Sequence, residues 1–299
     1  MTSIADTTIQ SWNQQGFIPG PDETEQAFIE RVEYCQNLKQ TLFASVNEAF
    51  PFASSDEASQ GILESAYLKT KALYDIEPTW VPLFLNNYQL AFWHGGCAWI
   101  FQISDQTPTA AFLQLRANFR TQSTYLGLYK RDELIAHEVA HVGRMMFQEP
   151  QFEEILAYRS SDSRWRRWMG PIVQTSNETL FFMLIVGFVF LAELAVINLK
   201  SSFLVSPFIL GLALIPVLLF SLAFSRLALR QWQFYRCLKN LTAIYQDQVT
   251  AQWVIYRLLD KEIHLFASSS PDKIRAMMTD FSSHSFRWQF ILQNYPLPY

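Results

Sequence analysis

His137, Glu138 and His141 are the residues of this chain whose types and spacing most directly describe chemistry. On a helix, residues four apart lie on one face, so the two rings in HEVAH (137–141) can reach a common metal ion. Glu138 falls beside that ion without ligating it, placed to take a proton from a water that the metal has activated. Two imidazoles do not complete a catalytic site: a third protein ligand is required, with a fourth position left to water. Glu153 and Glu154 follow on a helix opened by Pro150, PQFEEILAYRSS. An acidic first turn that merely complements the helix dipole would read the same way.

HExxH on one helix with a glutamate on the next resembles the gluzincin superfamily of zinc peptidases. The layout is most similar to the membrane-bound HtpX-like and CAAX-prenyl-protease group, whose catalytic helices accompany transmembrane spans. The resemblance implies Zn²⁺ held by His137, His141 and Glu154, Glu138 as general base, and a polypeptide substrate. In that group a small residue and an aspartate follow the ligand glutamate by three and four positions. Ala157 matches the first, whereas Tyr158 stands where the aspartate that orients a histidine ligand would be. Tyr158 or Glu153 is then the substitute for that aspartate, and Glu153 is also the alternative ligand. Members of the group commonly carry the ligand helix beyond membrane spans, which makes Asp247 in YQDQVTAQ a remote third choice. The likeness is specific from Asp132 to about Ser161 and architectural elsewhere.

Arg144 lies one turn beyond His141 on the same face, placed for a substrate carboxylate, for holding an acid that orients a ligand, or simply for pairing with Glu149 or Glu153. Zinc peptidases often set a cation or imidazole against the tetrahedral oxyanion. Tyr158, His264, His284 and Arg287 are the candidates, each with an ordinary packing or surface role as its alternative.

Several elements must position these groups. Asp132 is placed to cap the HEVAH helix, which reads as running to about Phe147, with Ala136, Ala140 and Gly143 allowing close approach. Ahead of it, the periodicity predicts a helix from Pro21 to about Ser45, with Phe28, Ile29, Val32, Cys35, Leu38 and Leu42 inward. A second helix is predicted from Asp56 to about Leu73, then an extended connection around Pro78 and Pro82. Tyr88–Trp93 and Cys97–Ile103, joined across His94-Gly95-Gly96, predict a hairpin, and Ala110–Ala117 alternates as a strand. Helices followed by a small antiparallel sheet are the order of a zincin, in which an edge strand pairs with extended peptide; Ala110–Ala117 is the candidate for that strand.

Half of the 299 residues are hydrophobic and only 17% are charged, more apolar than most soluble proteins. A net charge of −4 argues against nucleic acid as the main partner. Cys35, Cys97 and Cys237 show no metal or disulfide spacing and suit a reducing compartment. The opening MTSIADTTIQSW has neither a basic nor an apolar segment, so no cleaved signal is expected. The excess hydrophobicity sits in spans of about 180–199 and 203–227, each long enough to cross roughly 30 Å of hydrocarbon. Lys200, Ser201 and Ser202 are left as the tight turn between them. Arg164, Arg166 and Arg167 before the first span, and Arg226, Arg230, Arg236 and Lys239 after the second, place both flanks in the cytoplasm, with a bacterial inner membrane as the setting. Glu193 within the first span lies near enough to Lys200 to reach headgroups, and Pro216 predicts a kink in the second. Arg226 to about Phe266 reads as one long amphipathic helix, and Ser270 as the cap of the next, with Ile274, Met277, Met278 and Phe281 inward.

The expected fold is α+β and mostly helical: a zincin-like metallopeptidase domain over 1–170, a transmembrane helical hairpin over 171–230, and a helical region over 231–299 packed on the first domain. The expected function is membrane-anchored zinc-dependent hydrolysis of peptide bonds. The alternative is an inactive or self-blocked zincin-fold scaffold, in which a fourth protein ligand closes the metal site.

Overall fold

A computed structural model describes residues 6–44, 50–173, 176–198 and 205–298. The helix end placed near Ser45 and the turn at Lys200–Ser202 fall outside them. The chain is mostly helical around a small sheet, as the periodicity implied. It opens with α1 (Asp6–Gln14), α2 (Glu25–Gln36) and α3 (Leu38–Ala44). α2 starts at a cap rather than at Pro21: the Thr24 hydroxyl accepts from Ala27 N at 3.2 Å and satisfies an otherwise orphan amide. Phe28, Val32, Cys35, Leu38 and Leu42 are buried, and Ile29 is only half-buried. α4 (Glu64–Tyr74) begins eight residues after Asp56. The Asp56 carboxylate instead accepts from Ala53 N at 3.1 Å and Asn86 Nδ2 at 2.9 Å, a local competition that holds 54–56 as a single tight turn.

The sheet departs from the expected hairpin. β1 (Leu83–Leu85), β2 (Gly96–Phe101) and β3 (Ala110–Leu115) run in the order β1-β3-β2. β2 is antiparallel to β3, with Gly96 opposite Leu115 and Phe101 opposite Ala110, but β1 is parallel, so the sheet is mixed. Tyr88–Trp93 forms no strand because two side chains from β3 and its end capture its carbonyls. Gln114 Nε2 donates to Asn86 O at 3.0 Å and Tyr88 O at 2.9 Å. Arg116 donates to Ala91 O at 2.6 Å and His94 O at 2.7 Å. β3 is therefore the buried central strand, not the edge strand it was expected to be, and β1 and β2 are the edges. A short hairpin, β4 (Thr124–Tyr125) and β5 (Tyr129–Lys130), turns through Leu126 and Gly127, both at positive φ (53° and 66°).

β5 hands directly into α5 (Arg131–Gly143), so Asp132 lies in its first turn and Lys130, not Asp132, is the cap residue. α5 stops at Gly143, short of Phe147, because Arg144 leaves helical geometry to reach the C-terminal part of the chain. α6 (Pro150–Tyr158) has proline in its first turn, as expected, and α7 (Arg164–Met169) is capped by Ser163. Next come α8 (Ser176–Asn198) and α9 (Val205–Tyr245), two helices long and apolar enough to cross a membrane. Mean hydropathy is 2.0 over Glu178–Ala195 and 1.4 over Leu214–Tyr245. Their large side chains, among them Phe181, Phe188, Leu191, Leu218 and Leu222, face outward and uncovered, unlike those of a core helix. α9 continues through Pro216 as one helix into the body of the protein.

The long helix expected to reach Phe266 is broken into α9, α10 (Gln248–Tyr256) and α11 (Asp260–Ser268). Asp247 causes the first break by capping α10, accepting from Val249 N and Thr250 N at 3.1 and 2.8 Å. α12 (Pro271–His284) and α13 (Phe286–Asn294) close the chain. Ser270 occupies the cap position of α12 without a side-chain cap bond; Ile274 and Met278 are buried. A single apolar core runs from Ile9 through α5 and α6 to Tyr295, so residues 231–299 complete the first region's core rather than add a layer to it. The small residues of α5 permit this. Tyr256 donates to Ala140 O at 2.7 Å and seats over Gly143, where any Cβ would collide with its hydroxyl.

Candidate metal centre

α5 sets His137 and His141 one turn apart, with their Nε2 atoms separated by 3.3 Å. α6 brings Glu154 against both: its two carboxylate oxygens lie 3.6 Å from His137 Nε2 and His141 Nε2. Ligands at about 2.0–2.2 Å from one ion in tetrahedral geometry stand roughly 3.3–3.6 Å apart. The spacing therefore fits a small divalent ion at the common centre. Among the described residues, His137, His141 and Glu154 are the group that could hold a metal ion, with all ligand atoms within 4.8 Å of one another.

Glu153 does something different from its neighbour. Its Oε1 lies 3.0 Å from His141 Nδ1, the ring nitrogen opposite the shared centre. Arg144 Nε donates to its other oxygen at 2.9 Å, while Arg144 Nη1 donates to the carbonyls of Tyr256 at 2.6 Å and Leu258 at 3.0 Å. Glu153 thus holds the histidine from behind, on the side away from the shared centre. Of the two expected partners, Arg144 pairs with Glu153, the acid that stands behind His141. Tyr158 packs edge-on against the His137 ring, centroids 4.7 Å apart, and does not orient it by hydrogen bonding. Asp247 is committed to capping α10.

Burial and charge set the protonation states. Burial, then the neighbouring His141 charge, holds His137 well below the usual imidazole range, so it is neutral and ready to ligate. Burial pushes His141 down as well, but the Glu153 hydrogen bond and the charges of Glu154, Glu153 and Glu138 outweigh it and lift His141 to about 9. Burial raises Glu138 to about 7, with Glu154 adding to the rise, while His141 and the Ala98 backbone N–H oppose it. A carboxylate poised near neutrality is suited to accepting and returning a proton.

The three candidate ligands lie in a cleft of two lobes, about 550 and 700 Å³, both lined by His94, Gly96, His137 and Glu138. One lobe is walled by Leu128, Tyr158, Trp165 and Arg166, and the other by Cys97, Ile100, Met145 and Glu149. β2 borders the cleft and is paired on one side only. Gly96 is demanded by this close packing, since a Cβ there would strike the Gln114 backbone carbonyl; at Gly95 it would meet the movable end of the Leu134 side chain of α5.

His264, His284 and Arg287 stand outside the cleft. His264 meets Gln151 Oε1 at 2.6 Å and packs on Phe152; His284 engages Ser283 at the exposed end of α12. Arg287 is buried in an ion pair with Glu262 and donates to Arg257 O at 2.8 Å. Three contributors escaped the sequence reading. His94 was hidden in a presumed hairpin turn, and the Ala98 N–H carries no side-chain signal. Arg230 of α9 donates to Gln151 O at 2.9 Å, and its charge opposes the burial that raises Glu154. Comparison with protein-family models, with curated proteins and with solved structures gives no match.

Proposed function

We propose that this chain is a zinc-dependent endopeptidase of zincin type, held in a membrane by α8 and α9 with both flanks on the cytoplasmic side. The observation that carries the reading is the convergence of two imidazoles and one carboxylate at tetrahedral spacing, with a non-ligating glutamate beside them in an open cleft. That donor set, on an HExxH helix and its neighbour, suits zinc with a position left for a non-protein ligand. Among the described residues no further histidine, cysteine, aspartate or glutamate joins the trio. When bound, zinc supplies a Lewis acid that polarises the scissile carbonyl and makes water nucleophilic near neutral pH.

The chain's own residues do the rest. Glu138 takes the proton of the attacking water and returns it to the leaving amine, a task matched to its pKa of about 7. Glu153, braced by Arg144, keeps His141 in the tautomer whose Nε2 lone pair faces the centre. The open side of β2 offers backbone groups to an extended polypeptide laid along the cleft. His94 and Tyr158, which line the cleft with His137, are the donors we assign to a developing oxyanion.

The test pairs metal content with turnover. Full-length protein purified in mild detergent is expected to carry about one zinc per chain and to cleave an unfolded polypeptide. Glu138→Gln is expected to keep the zinc and lose about 100-fold or more in turnover. Unchanged turnover in that variant would refute the role of Glu138, and zinc without cleavage in the wild type would mark a scaffold.

A further inference from the structure

Large apolar side chains gather, uncovered, at one end of the cleft. Phe92, Leu126, Leu128 and Trp165 are 70, 55, 64 and 69% exposed. They are held as one surface. Arg166 of α7 donates to Leu128 O at 2.8 Å, and Tyr125 at the base of the β4–β5 hairpin donates to Phe92 O at 2.7 Å. Leu128 and Trp165 both wall the cleft lobe that ends at His137 and Glu138. Leu126 also holds a left-handed backbone, φ 53°, unusual for a residue other than glycine. Among the described residues these four side chains stay more than half exposed, which marks the surface for an external partner.

The position of α7 identifies the partner. Trp168 packs against Phe224 of α9, ring centroids 5.3 Å apart, and its carbonyl accepts from Gln231 at 3.2 Å. Arg226 pairs with Glu178 at 2.7 Å, closing the foot of the two apolar helices just beyond Phe224. Trp168 is therefore level with the point where the apolar helices give way to charge. Trp165 stands one turn away, about 5 Å along the helix, whereas a headgroup layer is roughly 5 to 7 Å deep on each side of the hydrocarbon. With α7 lying along the bilayer surface, Trp165 is at headgroup depth, with the bonded Leu128 close by. Tryptophan beside basic residues, here the exposed Arg164, is the composition that such a layer favours.

We propose that Phe92, Leu126, Leu128 and Trp165 form a rim seated in the headgroup layer of a phospholipid bilayer, opening the cleft to polypeptide that emerges from the membrane. The inference rests on α8 and α9 spanning that bilayer, and it narrows the proposed substrate class to segments next to a membrane. It does not depend on the identity of the metal.

Depth measurement tests it on the full chain in phosphatidylcholine–phosphatidylglycerol vesicles. In a Cys97→Ala background, with Cys35 and Cys237 buried, a fluorophore is placed singly at Leu126→Cys, Leu128→Cys or Trp165→Cys. Leu218→Cys, exposed on the apolar stretch of α9, reports the membrane reading itself. Val249→Cys, past the far end of α9 and about 30 Å of helix beyond Phe224, reports water. Each label is quenched with spin-labelled lipid and with an aqueous quencher. At the rim, the ratio of lipid to aqueous quenching is expected to exceed that at Val249 by about fivefold or more. A rim ratio equal to that at Val249, with Leu218 strongly lipid-quenched, overturns the rim and leaves the membrane spans intact. Lipid quenching absent at Leu218 as well overturns the membrane reading beneath it. Rim labels shielded from both quenchers assign the surface to a protein partner and overturn the lipid proposal.

Discussion

At the residue scale, adjacent glutamates have been given different work. Glu154 faces both Nε2 atoms, whereas Glu153 faces Nδ1 of His141 and the Arg144 guanidinium. Glu154→Gln is therefore expected to abolish stable zinc binding, while Glu153→Gln weakens it by about 10–100-fold, the usual loss when a partner behind a ligand is removed. Zinc titration by competition with a chelating dye separates the two; equal losses would mean that the assignments are wrong. Protons should compete with the metal. His141, lifted to about 9 in the metal-free protein, carries a proton at pH 7 that an incoming ion must displace. Affinity is thus expected to rise with pH, by up to about tenfold per unit, until it levels near pH 9. Dissociation constants at pH 6, 7 and 8 that coincide would contradict this. Sequence made His137, Glu138 and His141 legible because their spacing matches the helical repeat. It could not separate Glu153 from Glu154, since the two differ only in which side of one ring they meet, a distance set by how α6 packs on α5.

At the scale of elements, the helices were easier to read than the sheet. α6, α8 and the buried stripe of α2 follow from periodicity and from Pro150. The errors have a common origin in side chains that take over backbone hydrogen bonds. Arg116 and Gln114 convert an apolar run into a loop, Asp56 delays α4, and Asp247 ends what looked like a continuous helix. Arg116→Met should then free the 90–94 loop that carries His94 while the sheet core stays in place. Hydrogen exchange of the His94 amide is expected to speed up markedly while that of Leu113 holds; equal acceleration at both would point to global unfolding instead. Packing between α5 and α10 gives a second check. Gly143→Ala would drive a methyl into the Tyr256 hydroxyl, an overpacking cost of about 1–3 kcal/mol measurable by denaturant unfolding.

At the scale of the whole molecule, the C-terminal helices and the metal centre share one core, and Arg144 is the joint. Its guanidinium spans Glu153 on α6 and the carbonyls of Tyr256 and Leu258 between α10 and α11. Arg144→Met leaves the Glu153 carboxylate without its cation, at a cost of about 3–5 kcal/mol, and should weaken zinc binding as well. A variant that loses stability but binds zinc normally would uncouple the two. Arg230 plays a similar part from the other side, tying the apolar helix α9 to α6 through Gln151 and to the turn after α7 through Pro171. The exposed apolar faces of α8 and α9 thus connect to the ligand helix through a short, bonded path. The Arg144–Glu153 pairing was already open in the sequence, but the links of Arg144 to Tyr256 and Leu258 and of Arg230 to Gln151 and Pro171 were not, because they join positions 59 to 114 residues apart. The measurement that bears most directly on the central claim is X-ray absorption at the zinc edge of zinc-loaded, full-length protein. Two imidazole nitrogens, one carboxylate and one exchangeable oxygen are expected around the ion, and a shell of four protein ligands or one containing sulfur would contradict the account.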